Sequence, residues 1–164
     1  HSKAKDSTNG LNAWAEGGAC IIDKKKYETL GGFDHLYNPF YWEDIDLSYQ
    51  AWKKGYKVIF DPAVVFINHH ESTISQNFSP QFIKKIAYRN QFIFIWKNME
   101  DANFLLQHIA FLPYNMLYYM LKGEVEFVAG FFAALKQLRT VLQKRNLSNK
   151  NRVVPDKDIL KLFT

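Results

Sequence analysis

Three carboxylates, Glu43, Asp44 and Asp46, stand within one turn of a predicted helix start, and two imidazoles, His69 and His70, follow just after the next predicted strands. A positioned carboxylate can take a proton from a hydroxyl, and an imidazole can do the same or ligate a divalent metal. The chemistry open to this group is therefore proton abstraction, with or without metal assistance. Acidic residues in a first helical turn also interact well with the helix dipole, so their position alone demands no function. Asp44 and Asp46 are spaced i, i+2 and should point apart, which argues against joint chelation and makes Asp46 the candidate anchor of the helix start. His69 and His70 sit at a strand end and should project to opposite faces, so at most one can meet the carboxylates. His35 and His108 belong to no motif, and Cys20 lies in an apolar run that reads as core.

The elements that must position these groups follow from local pattern. Ala19-Cys20-Ile21-Ile22 reads as a short buried strand. Asp23 should cap a helix through Leu30 that closes at Gly31-Gly32, with a loop from Phe33 to Pro39. The carboxylate helix should run from Glu43 to Lys54, with Gly55 just past its end. Ile45, Tyr49, Trp52 and Tyr56 form its apolar stripe, and Asp44 lies off that stripe, over Ser48 and Ala51. Lys57–Phe60 and Ala63–Ile67 read as strands split by Asp61-Pro62. Ser79-Pro80 is a strong start for a helix ending near Asn98. Glu100-Asp101 opens another, which Pro113 should kink or break. A third helix is expected from Glu124 to Arg145, with Val125, Val128, Ala129, Phe132, Leu135, Leu138 and Leu142 as its inward face, widened by Phe127, Phe131 and Ala134. A polar linker over 146–155 precedes a short terminal helix carrying Ile159, Leu160 and Phe163. The expected fold class is α/β, a short mixed sheet with helices, followed by an α-helical C-terminal extension. Its parts are a flexible lead-in over 1–13, the α/β half over 14–78 and the helical extension over 79–164.

Of the 164 residues, 48% are apolar and 16% aromatic, which excludes a disordered chain and supports a real core. The one cysteine cannot form an internal disulfide, so a reduced, cytoplasmic setting is the simple expectation. No signal-peptide pattern opens the sequence, and its apolar stretches are broken by Gln107, His108, Pro113, Lys122 and Glu124 before reaching membrane-spanning length. Residues 1–75 hold 8 Lys/Arg and 10 Asp/Glu, a net −2, whereas residues 76–164 hold 13 and 6, a net +7. The two halves are thus expected to face different partners. In the rear, aromatic residues such as Phe104, Phe111, Tyr114 and Tyr118 precede a basic block with Lys136, Arg139, Lys144 and Arg145. That combination suits an anionic membrane surface. It does not suit nucleic acid, because the cations follow the aromatics instead of interleaving with them.

The order Gly17-Gly18-Ala19-Cys20-Ile21-Ile22, Leu30-Gly31-Gly32-Phe33-Asp34, Glu43-Asp44-Ile45-Asp46-Leu47, Gly55-Tyr56-Lys57-Val58, Pro62 and His69-His70-Glu71-Ser72 resembles glycosyltransferase family 2 of the bacterial cell-surface polysaccharide type. The likeness covers about residues 14–75 and continues more loosely from Arg89-Asn90-Gln91 to Trp96-Lys97-Asn98. It implies the acceptor-side half of a GT-A domain in an inverting, nucleotide-sugar-dependent enzyme that extends a cell-surface polysaccharide or lipid-linked glycan. Asp44 then corresponds to the catalytic base and Glu43 to a group that positions the acceptor. Trp14, Tyr41, Trp42 and Gly18 are the implied substrate contacts. His69, or alternatively His70, completes a divalent metal site for Mn or Mg, whose Lewis acidity would neutralise the leaving diphosphate. The implied partners are a nucleotide-sugar donor and a glycan acceptor, at the inner face of the membrane.

Two departures matter. Gln50 stands where the family usually has Arg, and no βαβ unit or loop Asp-x-Asp precedes residue 14. The expectation is an acceptor side without its donor side, inactive in isolation, with an uncovered sheet edge and apolar surface that favour a homodimer. Two other readings compete. One is a non-catalytic membrane-docking or partner-binding module. The other is a metal-dependent hydrolase built on Asp44, Asp46 and one histidine.

Overall fold

The computed structural model describes residues 10–65, 73–149 and 152–163. Within them the chain is mostly helical, so the α/β expectation holds only in its coarsest form. The sheet is a single antiparallel pair, β1 (Gly10–Leu11) with β2 (Ile59–Phe60), in register Gly10↔Phe60 and Leu11↔Ile59. β1 falls inside the stretch expected to be a loose lead-in. Residues 10–13 are tied down instead, by Asn12 N donating to Val58 O at 2.9 Å and the Trp52 indole donating to the carbonyls of Asn12 and Ala13 at 3.2 Å. Ala19–Ile22 is not a strand. Among the described residues no strand pairs with it; it is irregular, with Ile21 87% exposed and Cys20 half-buried outside the core. Ala63–Val65 is likewise irregular, and the remainder of that expected strand lies outside the described residues.

Helix boundaries follow the capping chemistry. α1 (Lys24–Leu30) starts where the Asp23 side chain accepts from Lys26 N and stops at Gly31, whose φ of 88° suits glycine. A 3₁₀ turn over His35–Tyr37 forms inside the expected loop, capped by Asp34. α2 (Glu43–Lys53) ends ahead of Gly55, φ 78°. After the short α3 (Thr73–Asn77), α4 (Pro80–Asn98) begins with Ser79 accepting from Phe82 N and proline at the first position. α5 (Ala102–Leu121) is capped by Asp101 and continues through Pro113 unbroken.

The expected third long helix is two, α6 (Val125–Leu135) and α7 (Leu138–Asn149), and its inward face is shifted toward Phe127, Phe131 and Ala134, the residues expected only to widen it. Phe127, Gly130, Ala134 and Val141 are buried, whereas Val125 is 60% and Phe132 56% exposed. Gly130 explains the choice. A Cβ there would lie 2.8 Å from Tyr88 Cβ, 2.9 Å from Arg89 N and 3.0 Å from Lys85 O. The missing side chain lets α6 press its backbone onto α4, and the helix turns its small residues inward to do so. The C-terminal segment, with α8 (Asp156–Leu160), folds back on α2. Val153 N and Val154 N donate to Lys53 O at 2.8 and 3.0 Å, and Ile159 is buried. One core joins residues from both sides of position 79: Leu36, Tyr37, Tyr49 and Trp52 with Phe92, Ile93, Phe127 and Val141.

Candidate functional site

α2 puts its carboxylates to different uses. Asp44 reaches the surface beside the irregular segment that precedes α1. Gly17 N donates to Asp44 Oδ2 at 3.0 Å and Ile45 N to Asp44 Oδ1 at 2.8 Å. One turn on, Ser48 Oγ accepts from Ala15 N at 3.0 Å, so the i, i+4 pair pins the 15–17 segment along the helix. Each Asp44 oxygen holds one N–H and keeps a second lone pair. The carboxylate lines an open cleft of about 450 Å³ with Trp14, Glu16, Tyr41, Trp42, Ile45 and Ala87. Trp14, Tyr41 and Trp42, expected as substrate contacts, are thus brought together around Asp44. Gly18 is exposed in a turn and is not among the lining residues; its neighbour Gly17 makes the contact with Asp44.

The wall that presents Tyr41 and Trp42 is strained. Both residues have left-handed backbone, φ 68° and 77°, a costly conformation for aromatic side chains. Asn90, fully buried on α4, holds them there. Its amide donates to the carbonyls of Tyr37, Phe40 and Tyr41 at 2.8, 2.9 and 2.8 Å. The Arg89 guanidinium adds a bond to Asn38 O. Such over-determination of an unfavourable backbone is the pattern expected where a loop must keep one shape for a ligand.

Glu43 does not line the cleft. Its Oε2 is shut from solvent and has no hydrogen-bond partner among the described residues. Burial pushes its carboxyl up, its own backbone N–H opposes, and the Asp44 charge adds to the rise. Cys20 sits nearby, where burial and the Asp44 charge push its thiol up.

Asp46 is the anchor its spacing suggests, and much more deeply than a helix start requires. It is 2% exposed and accepts from Tyr37 Oη, Asn98 Nδ2 and Lys97 Nζ, each at 2.7 Å. Lys97 also bonds Asp34 Oδ2 at 2.7 Å, and Lys144 of α7 bonds Asp34 Oδ1 at 2.5 Å. The acidic front and basic rear therefore spend part of their charge on each other. Gln50, the departure from the resembling family, is buried here. Its amide bonds Asn98 Oδ1, and its oxygen accepts from Ser148 Oγ at 2.8 Å. The positive charge beside Asp46 comes from Lys97.

For Asp34, burial alone would raise the carboxyl, but Lys97, Lys144 and the Leu36 N–H outweigh it and hold it below its ordinary 3.8. A depressed folded-state pKa means that the unfolded chain binds more protons at acid pH. The contribution of Asp34 is present above about pH 4 and lost as pH falls through its folded value. Thermal melts from about pH 6 downward should show a shallower acid decline in Asp34→Asn, which starts from a lower Tm. An unchanged acid limb would remove Asp34 from the account.

The sequence pattern passes over these supporting residues, yet a signal is there. Ile86, Asn90, Ile93 and Lys97 follow one helical stripe, and all are buried. Polar residues at core positions of an otherwise apolar helix mark a network. His69 and His70 lie outside the described residues. Among the described residues no three His, Cys, Asp or Glu side chains come together to hold a metal, and Asp46 is turned inward, away from Asp44's cleft. His108, on α5, faces α4 and accepts from the Trp96 indole at 3.3 Å, with its pKa lowered by burial. No family model matches the chain, and no curated protein or solved structure matches it.

Proposed function

We propose that the Asp44 cleft is the acceptor-side half of an inverting glycosyltransferase active site. The observation that carries this reading is a carboxylate fixed by two backbone N–H groups inside an aromatic cleft whose wall is held in strained backbone. Aromatic faces stack on the apolar faces of sugar rings, and Trp14 and Tyr41 are 47% and 40% exposed for that role. An acceptor sugar lying on them would bring a hydroxyl to Asp44. In the reaction the hydroxyl oxygen forms a bond to the donor's anomeric carbon. The bond from that carbon to the nucleoside diphosphate breaks, its electron pair leaving with the diphosphate. The hydroxyl proton passes to the Asp44 carboxylate. Attack from the face opposite the leaving group inverts the anomeric centre. The GT-A architecture, a donor-binding half outside these residues, and a lipid-linked or cell-surface glycan as acceptor belong to the same proposal. His69 and His70, expected to hold a divalent metal, lie outside the described residues.

Acceptor recognition is testable on this chain alone. Trp14 and Trp42 both line the cleft, so intrinsic fluorescence reports occupancy. Titration with short oligosaccharides of glucose, galactose, rhamnose and N-acetylglucosamine should give a saturable change with at least one of them. Trp14→Ala should weaken that binding about tenfold, the equivalent of one lost stacking contact. No response across the panel, or equal binding by the variant, would sink the reading.

A further inference from the structure

α5 has no buried residue and, from Ala102 to Leu121, no charged one. One side of it is accounted for. His108, Leu112, Asn115 and Tyr119 face α4 and α6 around a small cavity of about 130 Å³, and Tyr119 stacks on Phe127 at 4.3 Å. From Leu106 to Leu121 the opposite side is apolar. Leu106, Ile109, Leu117 and Leu121 are 65%, 64%, 59% and 80% exposed, with Pro113 between them on the same stripe. At 1.5 Å per residue the stripe from Leu106 to Leu121 is about 23 Å long, and none of the described residues covers it.

We propose that this stripe docks α5 flat on an anionic lipid bilayer. Three observations choose that occupant. The helix cannot span: no helix among the described residues is long and apolar enough to cross a membrane, and α5 carries Asn103, Gln107, His108 and Asn115. A second copy of the chain is a poor match, because a strip about 23 Å by 10 Å offers roughly 230 Å², against about 800 Å² per partner in a stable interface. Charge and amphipathic residues flank the stripe as a headgroup layer requires. Tyr114 and Tyr118 stack with centroids 6.2 Å apart, and Lys122 Nζ stands 4.4 Å from the Tyr118 ring at the end of the helix. Lys122 is exposed at the end of α5, Lys136 and Arg139 are exposed at the end of α6 and on α7, and none of the three holds a carboxylate in an ion pair among the described residues. The apolar stripe enters the acyl boundary, the tyrosines sit at its edge, and the cations meet lipid phosphates. This docking is independent of what the Asp44 cleft binds.

The test is co-sedimentation of the whole chain with phosphatidylcholine vesicles, with and without about 30% phosphatidylglycerol. The expected result is binding to the anionic vesicles, weakened in about 0.5 M salt. The quadruple variant Leu106→Gln, Ile109→Gln, Leu117→Gln, Leu121→Gln should bind at least roughly tenfold less. Its circular dichroism should be unchanged, because all four side chains are exposed. Absence of wild-type binding, equal binding to neutral vesicles, or equal binding by the variant overturns the proposal. A monomer–dimer equilibrium in sedimentation velocity that the variant abolishes, without vesicle binding, assigns the stripe to a second copy and also overturns it.

Discussion

Asp46→Ala should cost about 3–5 kcal/mol of stability, because truncating one partner of a buried charged network leaves the others without their bonds. Tyr37 Oη, Asn98 Nδ2 and one bond of Lys97 all end on this carboxylate, and Asp46, Asn98 and Lys97 are 5% exposed or less. Lys97 keeps Asp34, which sets the loss nearer the lower bound. Tyr37 and Asn98 keep nothing equivalent from Asp46, and a buried donor left unmade carries its full desolvation cost. For 164 residues, such a loss lowers Tm by about 10 °C. Thermal unfolding followed by circular dichroism measures it, and a fall of less than about 3 °C would mean that the network is not the brace between α2 and α4. The effect is structural, so acceptor binding by the fraction that stays folded should change little. Asp46 therefore separates two carboxylates that the sequence sets two residues apart: one braces the fold, the other faces the cleft.

Much of this arrangement was legible before the structure. Asp23 with Gly31, Gly55, and Ser79-Pro80 mark helix ends because capping and left-handed closure depend on a few adjacent residues. The i, i+4 relation of Asp44 and Ser48, and the opposed directions of Asp44 and Asp46, follow from helical geometry and reappear in the hydrogen bonds. What escaped depends on partners distant in the chain. Ala19–Ile22 has a strand's composition, but a strand forms only where another supplies its bonds. The inward face of α6 was set by Gly130 against Tyr88 and Arg89, a backbone approach that counting apolar residues does not register. Pro113 falls within a continuous helix despite its missing N–H. The left-handed Tyr41-Trp42 backbone could not be read from two aromatic residues, since its cause is Asn90 on another helix. Asp34, Lys97 and Lys144 are ordinary surface residue types by composition and become a linked network, with Lys97 buried at its centre, only when α4 and α7 meet the 3₁₀ turn.

Asp44→Asn tests the central claim most directly, in an enzyme that carries this chain together with a nucleotide-sugar-binding half. The substitution keeps the side chain's shape and an oxygen for the Gly17 N–H and gives up only the bond from Ile45 N at this part-exposed site, so Tm should stay within about 2 °C of the parent. It removes the group proposed to accept the acceptor's proton, and loss of a general base costs about 10²–10⁴-fold in rate. The account predicts that sugar transfer falls by at least that lower factor, while acceptor binding and folding are retained. Turnover close to the parent's would contradict it and leave Asp44 as a carboxylate that merely ties the 15–17 segment to α2.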